Sequence, residues 1–187
     1  MKPISSSIIV PARLVFLMWA VYFIETTFLI NLSIYGILPR TLDGLVGIVM
    51  APLLHGSVAH LAGNTMPLLI LGTMLYMFYD RIANHVFLQC YFVTGALVWL
   101  FARPSFHIGA SGLIYGLASF LIFFGFFRKD FKSLLISIVI MIFYGSLFYG
   151  VLPTQLSVSF ESHLMGGIVG FFNALRVSNM KRVSSGQ

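Results

Sequence analysis

Ser111 stands in the run His107-Ile108-Gly109-Ala110-Ser111-Gly112-Leu113-Ile114-Tyr115-Gly116, where a turn of small residues gives way to an apolar stretch. A serine at a helix start meets backbone N–H groups that lack intrahelical partners, at the positive end of the helix dipole. Donors of that kind can hold a developing oxyanion. A serine hydroxyl is a weak nucleophile until an adjacent base takes its proton. His163, at the start of another apolar stretch, is the candidate base. His60 and Asn64 stand at i and i+4, so one helix face offers two side-chain donors. Tyr115, four residues after Ser111, shares the serine's face and can pack against an imidazole ring. The chemistry these types could do together is acyl transfer.

Such residues must be carried by something, and the composition says what. Of 187 residues, 59% are apolar and only 9% charged, against about 45–50% and about 25% in soluble domains. A chain this small leaves much of its surface outside its core, so lipid has to cover that surface. A membrane helix needs about 20 mostly apolar residues. The pattern predicts an all-α bundle with spans over 14–32, 61–79, 86–102, 111–127, 133–151 and 162–178, and a polar, frayed tail over 179–187. The connection 33–60 carries turn signals at Tyr35-Gly36, Leu38-Pro39-Arg40 and Asp43-Gly44, yet is rich in Leu, Ile and Val. It is expected to lie in the membrane interface. One membrane-embedded domain over 1–187 accounts for the whole chain. Cys90 is the single cysteine, which excludes a disulfide scaffold.

The net charge of +6 is spread in ones and twos between apolar runs, so it argues for topology rather than for nucleic acid. With the N-terminus in the cytoplasm, the inner side holds Lys2, Arg13, Arg81, Arg128, Lys129, Lys132, Arg176, Lys181 and Arg182, and the outer side only Arg40 and Arg103. That distribution obeys the positive-inside rule. The first apolar run lacks a small-residue cleavage site and reads as an uncleaved span. The orientation brings His55, His60, Asn64, His107, Ser111, Glu161 and His163 to one depth, near the outer face. Polar groups at membrane depth usually face the bundle interior or a wet cavity. Gly112-x-x-x-Gly116 and Gly166-x-x-x-Gly170 place small residues on one face of each of two helices, which allows close approach.

Gly109-Ala110-Ser111-Gly112 with Tyr115, His60-x-x-x-Asn64 preceded by His55, and His163-x-x-Gly166-x-x-x-Gly170 together resemble the motifs of rhomboid intramembrane serine proteases. Span count and long first loop are similar too, so the resemblance covers nearly the whole chain. It implies that Ser111 is the nucleophile and that His163 is the general base and then the acid. It implies an oxyanion hole made by the Ser111 N–H with His60 and Asn64, and a Tyr115 ring stacked on His163. The implied substrates are single-span membrane proteins cut in or near their transmembrane segment. One departure stands out: Gly47-Ile48-Val49-Met50 occupies the stretch where many members carry a Trp-Arg pair. Opening a helix in lipid is expensive, so substrates with small or helix-breaking residues near the outer face are expected.

Other readings carry less. There is no His-Glu-x-x-His, and His55 and His60 are five apart, so neither a metal nor another cofactor is expected. Glu161 is two residues from His163, on a different helix face, which leaves a Ser–His dyad rather than a triad. His107 and His85 read as loop or turn residues, and Glu25 as a carboxylate bonded to a neighbouring helix. A rhomboid-like protein that binds or chaperones membrane helices without cutting them is the alternative, and the presence of both Ser111 and His163 argues against it. A transporter would spread polar residues through the full membrane depth. The absence of a targeting extension points to a prokaryotic plasma membrane.

Overall fold

The computed structural model describes residues 1–152 and 159–184, with backbone alone at 148 and 180–184. After a short helical turn at Ile4–Ser7, helix α1 runs Ile9–Thr27. It begins earlier than the expected 14–32 because Pro11 sits in its first turn, where a missing N–H costs no hydrogen bond. It also ends earlier. Leu29 takes a positive φ of 52°, and the Glu25 carboxylate turns back to accept the Leu32 N–H at 2.9 Å. The partner of Glu25 is thus the loop that follows its own helix, not a neighbouring helix.

The first loop is built of short turns at Leu32–Tyr35, Asp43–Leu45, Gly47–Met50 and Ala51–Leu53. It is fastened to the end of the third helix. The Trp99 indole donates to the Thr41 carbonyl at 2.8 Å, and the Arg40 guanidinium donates to the carbonyls of Leu100 and Ala102 at 3.2 and 2.8 Å. A cation on terminal carbonyls is favourable because they carry the negative end of the helix dipole.

Helix α2 (Val58–Phe78) starts on Ser57, whose hydroxyl accepts the His60 N–H at 3.1 Å. Helix α3 (Asp80–Phe101) contains a π-helical turn at Gln89–Val93. Helix α4 (Ser111–Arg128) is the axis of the fold, with most of its side chains buried against α2, α3 and the two helices that follow. Helix α5 (Phe131–Tyr144) is capped by Asp130, which accepts the Ser133 N–H at 3.0 Å and its hydroxyl at 2.8 Å. Partial burial opposes the Asp130 charge, but the Ser133 donors and the Arg128 guanidinium outweigh it and lower its pKa. The expected span 133–151 leaves the α-helix at Tyr144 and continues as a 3-10 segment, Gly145–Val151.

Helix α6 runs Phe160–Ser184. It continues through most of the expected tail 179–187, of which residues 185–187 lie outside the described residues. Four helices, α1 to α4, are long and apolar enough to cross a membrane. Helix α6 is the longest but carries inward-facing polar groups, with Glu161, His163 and Asn173 buried. His85 lies exposed on α3 rather than in a turn.

The tightest packing joins α4 to α6. A methyl group on Gly166 would overlap the carbonyl of Gly112, and one on Gly170 would overlap the carbonyl of Gly116. Gly116 is also hemmed by the Cys90 sulfur, 2.9 Å from where its Cβ would stand. All four glycines of the two spaced pairs therefore lie in or beside one helix seam, which backbone atoms of both helices share.

Candidate active site

Ser111 is the first residue of α4, preceded by Ala110, which supplies no side-chain cap. The first intrahelical bond at this end runs from the Ile114 N–H to the Ala110 carbonyl at 3.1 Å. The amides of Ser111, Gly112 and Leu113 are thus the first-turn donors that a helix leaves without intrahelical partners. A cavity of ≈ 700 Å³ opens at this end, lined by Ser111, His163, His60, Asn64, Tyr115 and His107 among others. Helices α2, α4 and α6 each supply part of its wall. His55 and Glu161, which the sequence places at the same depth, stand outside that lining.

His163 is buried and held on two sides. Its ring lies on the Tyr115 ring with centroids 4.0 Å apart and planes 4° from parallel. Its Nδ1 is 2.8 Å from the Gly150 carbonyl. A carbonyl only accepts, so Nδ1 carries the proton and donates it, leaving the Nε2 lone pair available as a base. Ser111 and His163 share the cavity without a direct hydrogen bond among the described residues. Catalytic hydrogen bonds are often long until substrate tightens them.

His60 and Asn64 line the cavity, but not as two equivalent donors. One N–H of the Asn64 amide is spent on the His60 carbonyl at 2.9 Å, which leaves the other for the cavity. The His60 ring sits over Gly109, whose φ of +106° lies in the region that favours glycine. A Cβ on Gly109 would stand 2.7 Å from the His60 ring. Gly109 thus lets the turn before Ser111 pass under the imidazole. His55 packs edge-on against His60 at 4.9 Å. Burial, and next the neighbouring His60, push its pKa down to about 4.

Ion pairing and loop bonds surround this site. Arg103 Nε meets the Glu161 carboxylate at 3.4 Å, and its guanidinium lies 5.3 Å from the centre of the Phe160 ring. His107 bonds loop groups, as expected, and also lines the cavity. Its Nε2 is 3.0 Å from the Arg103 carbonyl and its Nδ1 2.6 Å from the Ser159 hydroxyl, and burial lowers its pKa. Its backbone pairs with Ile37 of the first loop through bonds of 3.0 and 2.9 Å. Two contributors escaped sequence reading. The Gly150 oxygen belongs to the main chain and has no residue-type signature. Ser159 is one serine among several polar residues before α6. No group of three or more metal-ligating side chains occurs among the described residues.

The model of the Rhomboid domain matches residues 43–180, nearly three quarters of the chain and every wall of this cavity. The chain belongs to the rhomboid family. This rhomboid is an integral membrane protein of a family associated with intramembrane proteolysis. It is 34% identical over 163 residues to the uncharacterized protein Rv1337 of Mycobacterium tuberculosis (strain ATCC 25618 / H37Rv), a match covering 81% of this chain and 67% of that relative. It is 35% identical over 150 residues to the uncharacterized protein ML1171 of Mycobacterium leprae (strain TN), covering 75% of this chain and 59% of that one.

Proposed function

We propose that this rhomboid is an intramembrane serine endopeptidase of the Ser–His dyad type, cutting single-span membrane proteins in or near their transmembrane segment. The observation that carries the reading is the fixed tautomer of His163. Its Nδ1 proton is committed to the Gly150 carbonyl while Ser111 shares its cavity at an uncapped helix start. In the proposed reaction Ser111 Oγ attacks the scissile carbonyl as His163 Nε2 takes its proton. The Ser111 amide, the His60 ring and the free Asn64 N–H hold the oxyanion. His163 then gives the proton to the leaving amine, and water that enters through the cavity hydrolyses the acyl-enzyme with His163 as base. Six spans, a cytoplasmic N-terminus, an outward-opening site and a prokaryotic plasma membrane belong to the same proposal. They rest on the charge distribution and on the order α1 to α6.

The test needs no known substrate. The protein in mild detergent is treated with a fluorophosphonate probe, and the adduct is located by mass spectrometry. An adduct on Ser111 that is lost in both Ser111→Ala and His163→Ala is expected. A folded protein left unmodified would overturn the enzyme reading in favour of a helix-binding rhomboid.

A further inference from the structure

His107 precedes Ser111 by four residues, and Ser159 precedes His163 by four. Their side chains meet, with His107 Nδ1 2.6 Å from Ser159 Oγ. The proton order of this contact follows from its neighbours. The Arg103 carbonyl, 3.0 Å from His107 Nε2, can only accept, so Nε2 carries the hydrogen. Burial lowers the pKa of the ring, which favours the neutral form, and in that form Nδ1 accepts and the Ser159 hydroxyl donates. Ser159 Oγ, its one hydrogen committed, accepts from the Ser162 hydroxyl at 2.6 Å. The chain of bonds therefore runs from α6 through the residue before it to the loop that launches α4. Beside it the Arg103–Glu161 pair joins the same two segments, with Glu161 buried in the first turn of α6. A carboxylate there is also favoured by the helix dipole.

We propose that the Ser159–His107 bond and the Arg103–Glu161 pair form a latch that sets the separation of Ser111 and His163, making these four residues positioning residues of the site. The inference rests on the dyad reading. The glycine seam fixes how closely α4 and α6 approach along their length, but the reacting atoms lie at the outer ends. There, a misplacement of about 1 Å can cost roughly 10²-fold in rate. Ser111 and His163 make no direct bond of their own among the described residues. Their spacing is left to the segments that carry them.

The test uses the full chain in detergent, with Ser159→Ala, Ser159→Thr, Glu161→Ala and the swapped pair Arg103→Glu with Glu161→Arg. Two quantities are read beside the thermal midpoint: the rate at which a fluorophosphonate modifies Ser111, and hydrogen exchange of the first-turn amides of α4 and α6. Ser159→Ala and Glu161→Ala are expected to slow modification about tenfold each and to quicken that exchange. Ser159→Thr, which keeps the hydroxyl, should restore both, and the swapped pair, which sets a cation against the helix dipole, should recover part of what Glu161→Ala loses. Ser159→Ala removes one oxygen, so it tests the latch even where the charge variants fold poorly. Modification at the wild-type rate in Ser159→Ala and Glu161→Ala overturns the proposal. A wild-type protein that is never modified overturns the dyad reading instead, and exchange unchanged by the variants would then overturn the latch on its own.

Discussion

The Gly150 carbonyl occupies the place where a carboxylate stands in a Ser–His–Asp triad. It fixes the tautomer of His163 without adding a negative charge to a membrane-embedded site. Gly150 has no room for a side chain, since a Cβ would collide with the Tyr115 hydroxyl and stand 3.3 Å from His163 Nδ1. Gly150→Ala is expected to tilt the Tyr115–His163 stack and lower Ser111 modification by at least tenfold. Helical content should be unchanged by circular dichroism. His55 makes a second prediction. Its folded pKa of about 4 lies below the ordinary 6.5, so as pH falls the unfolded chain takes up the proton first. The stability linked to this residue is complete above about 6.5 and is lost between there and about 4. His55→Gln should therefore flatten the decline of the thermal midpoint across that window, and an equally steep decline would count against the assignment.

At the level of helices, α4 and α6 share a seam in which each backbone fills the space left by the other's missing side chains. Gly166→Val should force them apart and lower stability by about 1–3 kcal/mol, the usual cost of overpacking. Gly167→Ala, with nothing within 4 Å of its Cβ position, should hold or slightly raise the thermal midpoint, because alanine suits a helix interior better than glycine. This seam was legible in the sequence because glycines four apart have a single geometric meaning on a helix. That Ser111, His163 and Tyr115 meet at one cavity was legible for a similar reason, since the side chains proposed here as nucleophile, base and stacking ring are distinctive types. What escaped was written in the backbone or in the loops. The Gly150 oxygen carries no residue signature, and the Ser159–His107 contact joins residues 52 apart in sequence. The ends of α1 shifted because Pro11 reads as a breaker but behaves as a first-turn residue, and because Glu25 satisfies an amide beyond the helix.

For the whole molecule, the uneven charge makes the orientation testable. Pro104, exposed beyond α3, and Lys132, exposed at the start of α5, fall on opposite sides of the proposed bundle. With Pro104→Cys, a membrane-impermeant maleimide is expected to label intact cells. With Lys132→Cys it should label only after lysis, and the reverse pattern would invert the topology. The buried Cys90 gives little background. Helix α4 has a consequence at this scale too. Its 18 residues at 1.5 Å each make it about 27 Å long, a few ångströms less than the roughly 30 Å hydrocarbon layer. Because neighbouring helices rather than lipid surround α4, the shortfall is met within the protein and not by the bilayer. The missing length shows as the hollow at the Ser111 end, where α2, α4 and α6 leave room above the first turn.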